Sequence, residues 1–318
     1  MNGLLPAFDA RNIFVMPWTD GLAVFGTVMA MGFLVTAACG LIGNYLILRR
    51  MALMGDAVSH SVLPGLVIAF LATGSRGTGA MMLGALLAGV ATTVIVETIH
   101  RKTRVKQDAA IGVTFTTLFA FGVVLVSLYS SQVDLDAECV LYGEIGLMEP
   151  IAGWAHWPAP LVRMLVVLGA LAALILCFYK ELLVSSFDAG LARSLGVNPV
   201  FVHYAIMVML SVVVVSAFEA VGSILVVAML ILPGATASLL TERLPWVHGL
   251  SLVHALWSAV GGVHLALALN CQIGPAMVVM GATGFVLAWV FSPTAGLLAR
   301  WRRRGSRSSR GLEAADVR

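Results

Sequence analysis

Charge is scarce in this chain of 318 residues, with Asp, Glu, Lys and Arg making up only 11% of it. Soluble domains carry about 25%, so a soluble enzyme, a nucleic-acid binder and a disordered chain are all excluded. Cysteine is also sparse, with four residues far apart and no CxxC, which removes thiol-metal and dithiol redox motifs. No GxxxxGK[ST] is present, so the chain does not hydrolyse ATP through a P-loop. HExxH and GxSxG are missing too, and with them any support for an intramembrane protease. The first 20 residues hold Asp9, Arg11 and Asp20 without a basic n-region and short apolar core, so a cleavable signal peptide is not expected.

Apolar residues fill the space, at 60% of the chain with a mean hydropathy of +0.97. Nine runs approach the roughly 20 apolar residues that a helix needs to cross a bilayer, at about 22–43, 56–74, 79–98, 109–130, 159–179, 201–219, 223–241, 249–269 and 275–298. They are continuous rather than alternating, which excludes a β-barrel. Backbone groups in lipid must pair within their own segment, so each run is helical. The fold class is therefore an all-α polytopic transmembrane bundle in one domain, residues 1–318. Nine spans are expected, with eight as the alternative, because the run at 56–74 opens on a polar cluster. Ala80, Gly84 and Ala88 form a small-residue stripe for close helix packing.

The basic residues fix an orientation. With nine alternating spans, 16 of the 19 Lys and Arg fall on one side, including Arg49, Arg50, Arg101, Lys102, Arg104, Lys106, Lys180, Arg193, Arg243 and seven arginines from Arg300 to Arg318. Arg11, Arg76 and Arg163 fall on the other. The positive-inside rule then puts the N-terminus outside and the C-terminus in the cytoplasm. The tail, 299–318, reads as a basic segment touching anionic lipid. The loop 131–157 carries Asp134, Asp136, Glu138, Glu144 and Glu149 and no basic residue. It is either a solvated outer loop or an acidic mouth that concentrates cations. Cys139 and Cys271 share this outer side, close enough in topology for a disulfide to be one outcome.

Ionisable residues inside spans are costly and mark function by default. Asp56 and His60, in GDAVSHSVLPG, are four apart and share one helical face. A carboxylate and an imidazole there suit a divalent transition metal; the alternative is that Asp56 caps the helix and His60 packs as a polar residue. Pro64 cannot donate to the carbonyl of residue 60 and leaves it free beside the imidazole. Glu219 lies near the outer end of the sixth run, either lining a pathway or meeting interfacial water. Pro233 interrupts the helical bonding of the seventh run. Glu97 and His100 form an E-x-x-H, without a second copy and next to a basic loop. His203, His248, His254 and His264 are scattered.

Five stretches then carry a resemblance: RRMALMGDAVSHSVLPG (49–65), VKQDAAIGVTFTTLFAFGVVLVS (105–127), VDLDAECVLYGEI (133–145), FDAGLARSLGV (187–197) and VGSILVVAMLILPGATASLL (221–240). In this order, from about Arg49 to Arg300, the chain resembles the integral membrane subunits of bacterial ABC importers for divalent metals, the manganese/zinc/iron permease family. The resemblance implies a type II-like importer permease without enzymatic activity of its own, working in the bacterial inner membrane. It implies two cytoplasmic ATP-binding subunits, a second copy of the chain or a related permease, and an extracytoplasmic metal-binding protein. No cofactor is held permanently; a manganese, zinc or iron ion is the cargo, with manganese slightly favoured. Residues 181–200 become the cytoplasmic coupling loop, with Asp188, Gly190, Leu191, Arg193, Leu195 and Gly196 in the helix that meets the ATPase. Asp56 and His60 become the channel-facing metal site, with Glu219 as a further ligand. Many members carry Gln at the position of Glu219 and Asp near Asn270, so this chain departs from the pattern at both. An ion-coupled secondary metal transporter and a permease for a metal chelate or vitamin are the rival readings.

Overall fold

The structure, a computed structural model, describes residues 10–74, 78–129, 145–151, 157–292 and 296. The acidic residues from Asp134 to Glu144, Cys139 and the basic tail lie outside the described residues, and so does the side chain of Glu219. The described residues contain helices and no strand. The short α1 (Ala10–Phe14) is followed by a 3-10 turn at Met16–Trp18. Four long helices come next: α2 (Leu22–Leu48), α3 (Met54–Thr73), α4 (Thr78–Lys102) and α5 (Gln107–Leu128). α6 (Ala159–Cys177), the short α7 (Tyr179–Phe187) and α8 (Ala189–Ser194) lead into α9 (Pro199–Leu240), and α10 (Leu244–Leu269) and α11 (Ile273–Phe291) complete the bundle.

Among the described residues, eight helices are long and apolar enough to cross a membrane, counting Pro199–Phe218 of α9, and the shorter apolar stretch Leu225–Leu240 adds a ninth segment. The nine apolar runs of the sequence thus coincide with helical segments, although eight meet the length of a span. A straight helix of 42 residues would extend about 63 Å, twice the hydrocarbon thickness. Yet both ends of α9 meet the same end of the bundle. His203 reaches Glu97 near the close of α4, and Thr241 and Glu242 line a cavity with Leu48 and Phe187. The chain therefore turns back on itself within α9. The turn sits at Gly222, whose φ of 76° and ψ of 169° are the one non-helical pair inside the element. That region of backbone space is open essentially to glycine alone. Helical dihedrals continue through Pro64 in α3 and Pro233 in α9, so the break in α9 falls eleven residues before the proline that the sequence marks.

α2 is the central post. Val28, Met31, Val35, Ala38 and Tyr45 have almost no exposed surface. α9 and α10 pack along it. In lipid there is little hydrophobic gain from burying one apolar helix against another, so close packing carries the association. Gly43 permits it: its missing side chain leaves room for the carbonyl of Leu230 in the second half of α9. Gly65 of α3 and Gly84 of α4 approach backbone to backbone in the same way, with Ala88 beside them, which is the role the small-residue stripe implies. At the end opposite Arg49, Trp18 Nε1 donates to His264 Nε2 (3.2 Å). The other ring nitrogen of His264 donates to the Ile13 carbonyl (2.7 Å), tying α1 to α10.

Replacing Gly222 by Val is expected to destabilise the protein by about 1–3 kcal/mol, the cost of forcing a β-branched residue into this conformation. Gly169→Ala on α6, where an added methyl meets nothing within 4 Å, is expected to be neutral or stabilising. Thermal unfolding of the purified protein in detergent checks both, and an unchanged midpoint for Gly222→Val would show that the turn lies elsewhere.

Candidate metal site and coupling segment

α3 begins at Met54 without a side-chain cap, so Asp56 does not cap the helix that carries it. Asp56 Oδ1 instead lies 3.3 Å from His60 Nε2, one turn on. Asp56 and His60 are about one-third and one-quarter exposed, and so neither sealed in the core nor fully free. The imidazole is walled by two rings from α5. Phe115 stacks on it at 5.7 Å between centroids, and Phe119 meets it edge-on at 5.6 Å. These rings fix the imidazole plane and keep one side of the pair dry. Gly122 of α5 makes this approach possible, since a side chain there would press on the Pro64 ring.

Two ligands on an open face cannot close a tetrahedral shell. They can hold a borderline divalent ion with water or a partner chain's ligands in the remaining positions. No cluster of three or more His, Cys, Asp or Glu side chains suited to a metal occurs among the described residues. Glu219 belongs to the helical stretch just before Gly222, and Pro233 packs against Gly40 of α2.

A second ionic cluster escapes a reading of local spacing. Glu97, almost fully buried, pairs through one oxygen with Arg101 on the next turn of α4, and through the other with His203 Nε2 of α9 at 3.1 Å. His100, the partner suggested by E-x-x-H, turns instead to the Val105 carbonyl at 3.2 Å. The i,i+4 spacing of Glu97 and Arg101 was the available signal; His203, from another helix, had none.

The candidate coupling segment is built from caps. Asp188 accepts hydrogen bonds from the amides of Gly190 (2.8 Å) and Leu191 (3.0 Å), starting α8. Gly196 takes the left-handed turn after it, with φ 82°. Asn198 then accepts from Val200 (3.0 Å) and Phe201 (3.4 Å), starting α9. Phe187, Leu191 and Leu195 are at least half exposed, at 64%, 50% and 62%. Exposed apolar side chains around a short capped helix form an apolar knob, a candidate docking surface. Arg193 is exposed on the same helix. Asn270 ends α10 in the left-handed conformation, φ 50°, a C-terminal role that Asn tolerates better than most residues. Cys271 beside it is exposed with a free thiol, and its candidate partner Cys139 lies outside the described residues.

Comparison with known proteins gives the family. Residues 23–292 match the model of the ABC 3 transport family. The chain is 43% identical over 277 residues to the manganese transport system membrane protein MntD of Bacillus subtilis, covering 86% of this chain and 94% of that one. It is 39% identical over 277 residues to the zinc transport system membrane protein TroD of Treponema pallidum, covering 86% of this chain and 75% of the relative. Among solved structures it resembles PsaBC from Streptococcus pneumoniae in complex with Fab, with a TM-score of 0.74 and 32% identity over 90% of this chain and 97% of the other. The chain belongs to the ABC 3 transport family.

Glu97→Gln removes the charge that holds Arg101 and His203. Loss of one partner from a fully buried pair costs about 3–5 kcal/mol. Because Arg101 is half exposed, water screens its share, and a destabilisation of about 1–3 kcal/mol is expected, read as a lowered unfolding midpoint. A variant as stable as wild type would mean that the cluster contributes nothing to holding α4 against α9.

Proposed function

We propose that this chain, as a permease of an ATP-binding-cassette importer, carries a divalent transition metal ion across the bacterial inner membrane, with Asp56 and His60 as its ligands. The observation that carries the reading is the pair itself: a carboxylate and an imidazole 3.3 Å apart, partly exposed, on a helix walled by Phe115 and Phe119. Conduction needs a site strong enough to admit the ion and weak enough to release it. Two protein ligands with water in the other positions meet that need better than a closed cage. Glu219 would add a carboxylate near the turn of α9.

The pair is open on the surface of a single chain, which favours a pathway completed by a second copy or a related permease. Two ATP-binding subunits would dock on the knob formed by Phe187, Leu191 and Leu195. Their closure on ATP would move α8 and switch the pathway between its two openings. An extracytoplasmic binding protein would deliver the ion at the opposite end. The end bearing Arg49, Arg101 and Arg243 is then cytoplasmic, as the positive-inside rule requires. No bond chemistry is asked of this chain. Manganese is favoured by the relatives' names, because imidazole plus carboxylate serves manganese, iron and zinc alike.

Uptake of radioactive manganese, zinc and iron by cells carrying the complete transporter tests this. ATPase-dependent uptake of one metal is expected, falling at least tenfold in Asp56→Ala and in His60→Ala at normal membrane levels. Uptake that survives loss of the ATPase and collapses with an uncoupler would establish a secondary transporter instead. Undiminished uptake in both variants would remove the pair from the pathway.

A further inference from the structure

The coupling segment and the Asp56–His60 pair sit on different helices, and one side chain joins them. α2 closes in a tight turn in which the Arg50 amide donates to the Ile47 carbonyl (3.0 Å) and the Met51 amide to the Leu46 carbonyl (2.8 Å). Such paired closures hold a residue in left-handed conformation, usually glycine. Here it is Arg50, with φ 59°, a conformation that residues with a Cβ avoid. The Met54 amide then donates to the Met51 carbonyl, and α3 begins two residues before Asp56. The placement of the 49–53 turn therefore sets the placement of the metal pair.

Arg49, at the head of this turn, does not extend into water. Its Nε donates to Ser186 Oγ (3.2 Å) and its Nη2 to Ser185 Oγ (3.1 Å), both on α7. Ser186 in turn donates to the Leu182 carbonyl (2.7 Å), which leaves its lone pairs toward the guanidinium. α7 ends at Phe187, next to Asp188, the cap of α8. The planar fork of an arginine holds two hydroxyls from two separate nitrogens in fixed geometry, whereas a lysine offers a single ammonium nitrogen on a flexible stem. No carboxylate pairs with Arg49 among the described residues; Glu97 is taken by Arg101 and His203. Burial pushes the guanidinium's pKa down, as expected for a charge removed from water with neutral partners. A partly desolvated cation held only by two hydroxyls needs both to stay in place. Arg49 thereby ties α7, and through it the start of α8, to the turn that begins α3.

We infer that Arg49 is a positioning residue of the transport cycle, linking the coupling segment through Ser185 and Ser186 to the helix that carries Asp56 and His60. The inference rests on the importer reading above. The test uses the complete transporter, permease with its ATP-binding subunits and the metal-loaded extracytoplasmic binding protein, in proteoliposomes, with manganese uptake and ATP hydrolysis measured in the same vesicles. Arg49→Lys and the double variant Ser185→Ala/Ser186→Ala are compared with wild type. Both are expected to hydrolyse ATP within about twofold of wild type while manganese moved per ATP falls at least tenfold. The serine variant removes only two hydroxyls and keeps the test valid if Arg49 variants fail to fold. An unchanged manganese-to-ATP ratio in the serine variant, or uptake and hydrolysis falling in proportion, would overturn the relay. Absence of ATP-dependent uptake of manganese, zinc or iron in wild type would instead overturn the importer reading, and the relay with it.

Discussion

Lipid supplies no hydrogen-bond partner, and each departure of this protein from straight helices is arranged around that fact. Peptide groups freed at a break must face protein or water. The turn in α9 is made at Gly222, a residue with no side chain to place, and the returning half is pressed against α2 through Gly43 and the Leu230 carbonyl. The ends at α2 and α10 close with left-handed residues, Arg50 and Asn270, that redirect the chain in a single step. Backbone economy in the membrane thus produces both the reversed helix and the abrupt entry into α3.

The same constraint sorts the ionisable side chains. Glu97 is buried and compensated by the Arg101 guanidinium on its own helix and the His203 imidazole on another, which gives it a structural explanation. Among the described residues Asp56 pairs with an imidazole alone, and both are partly exposed beside a wall of phenylalanines. A pair with spare coordination and an open side is equipped to exchange ligands, whereas Glu97 is already saturated. Two carboxylate–imidazole contacts of nearly equal length therefore have different consequences, decided by what else surrounds them.

At the end bearing Arg49, the chain is a sequence of caps and short helices rather than packed spans. Asp188, Gly196 and Asn198 each fix a change of direction through side-chain or glycine chemistry within a few residues. The exposed apolar residues Phe187, Leu191 and Leu195 are held out by these caps. Rigid local geometry would let a push on the knob move the segment as a body. Arg49 ties the neighbouring α7 to the turn that leads into α3.

Hydropathy and basic-residue placement determined the helical membrane bundle, its apolar segments and a candidate orientation, because burial in lipid acts on local composition. The i,i+4 spacing of Asp56 and His60 likewise placed both on one face, since helical periodicity is local. The Asp188 turn was legible as a motif, though its capping bonds were not. Beyond these, the spacing gave no access to partners from other helices. Phe115 and Phe119 against His60, His203 against Glu97, and Ser185 and Ser186 against Arg49 are contacts between segments far apart in the chain. Pro233 marked the seventh run for a break, yet the backbone turns at Gly222, because the neighbouring helices decide where a reversal fits. Composition and period thus set which segments are helical, while the packing of one helix on another decided which polar groups are satisfied, which stay open, and where the chain bends.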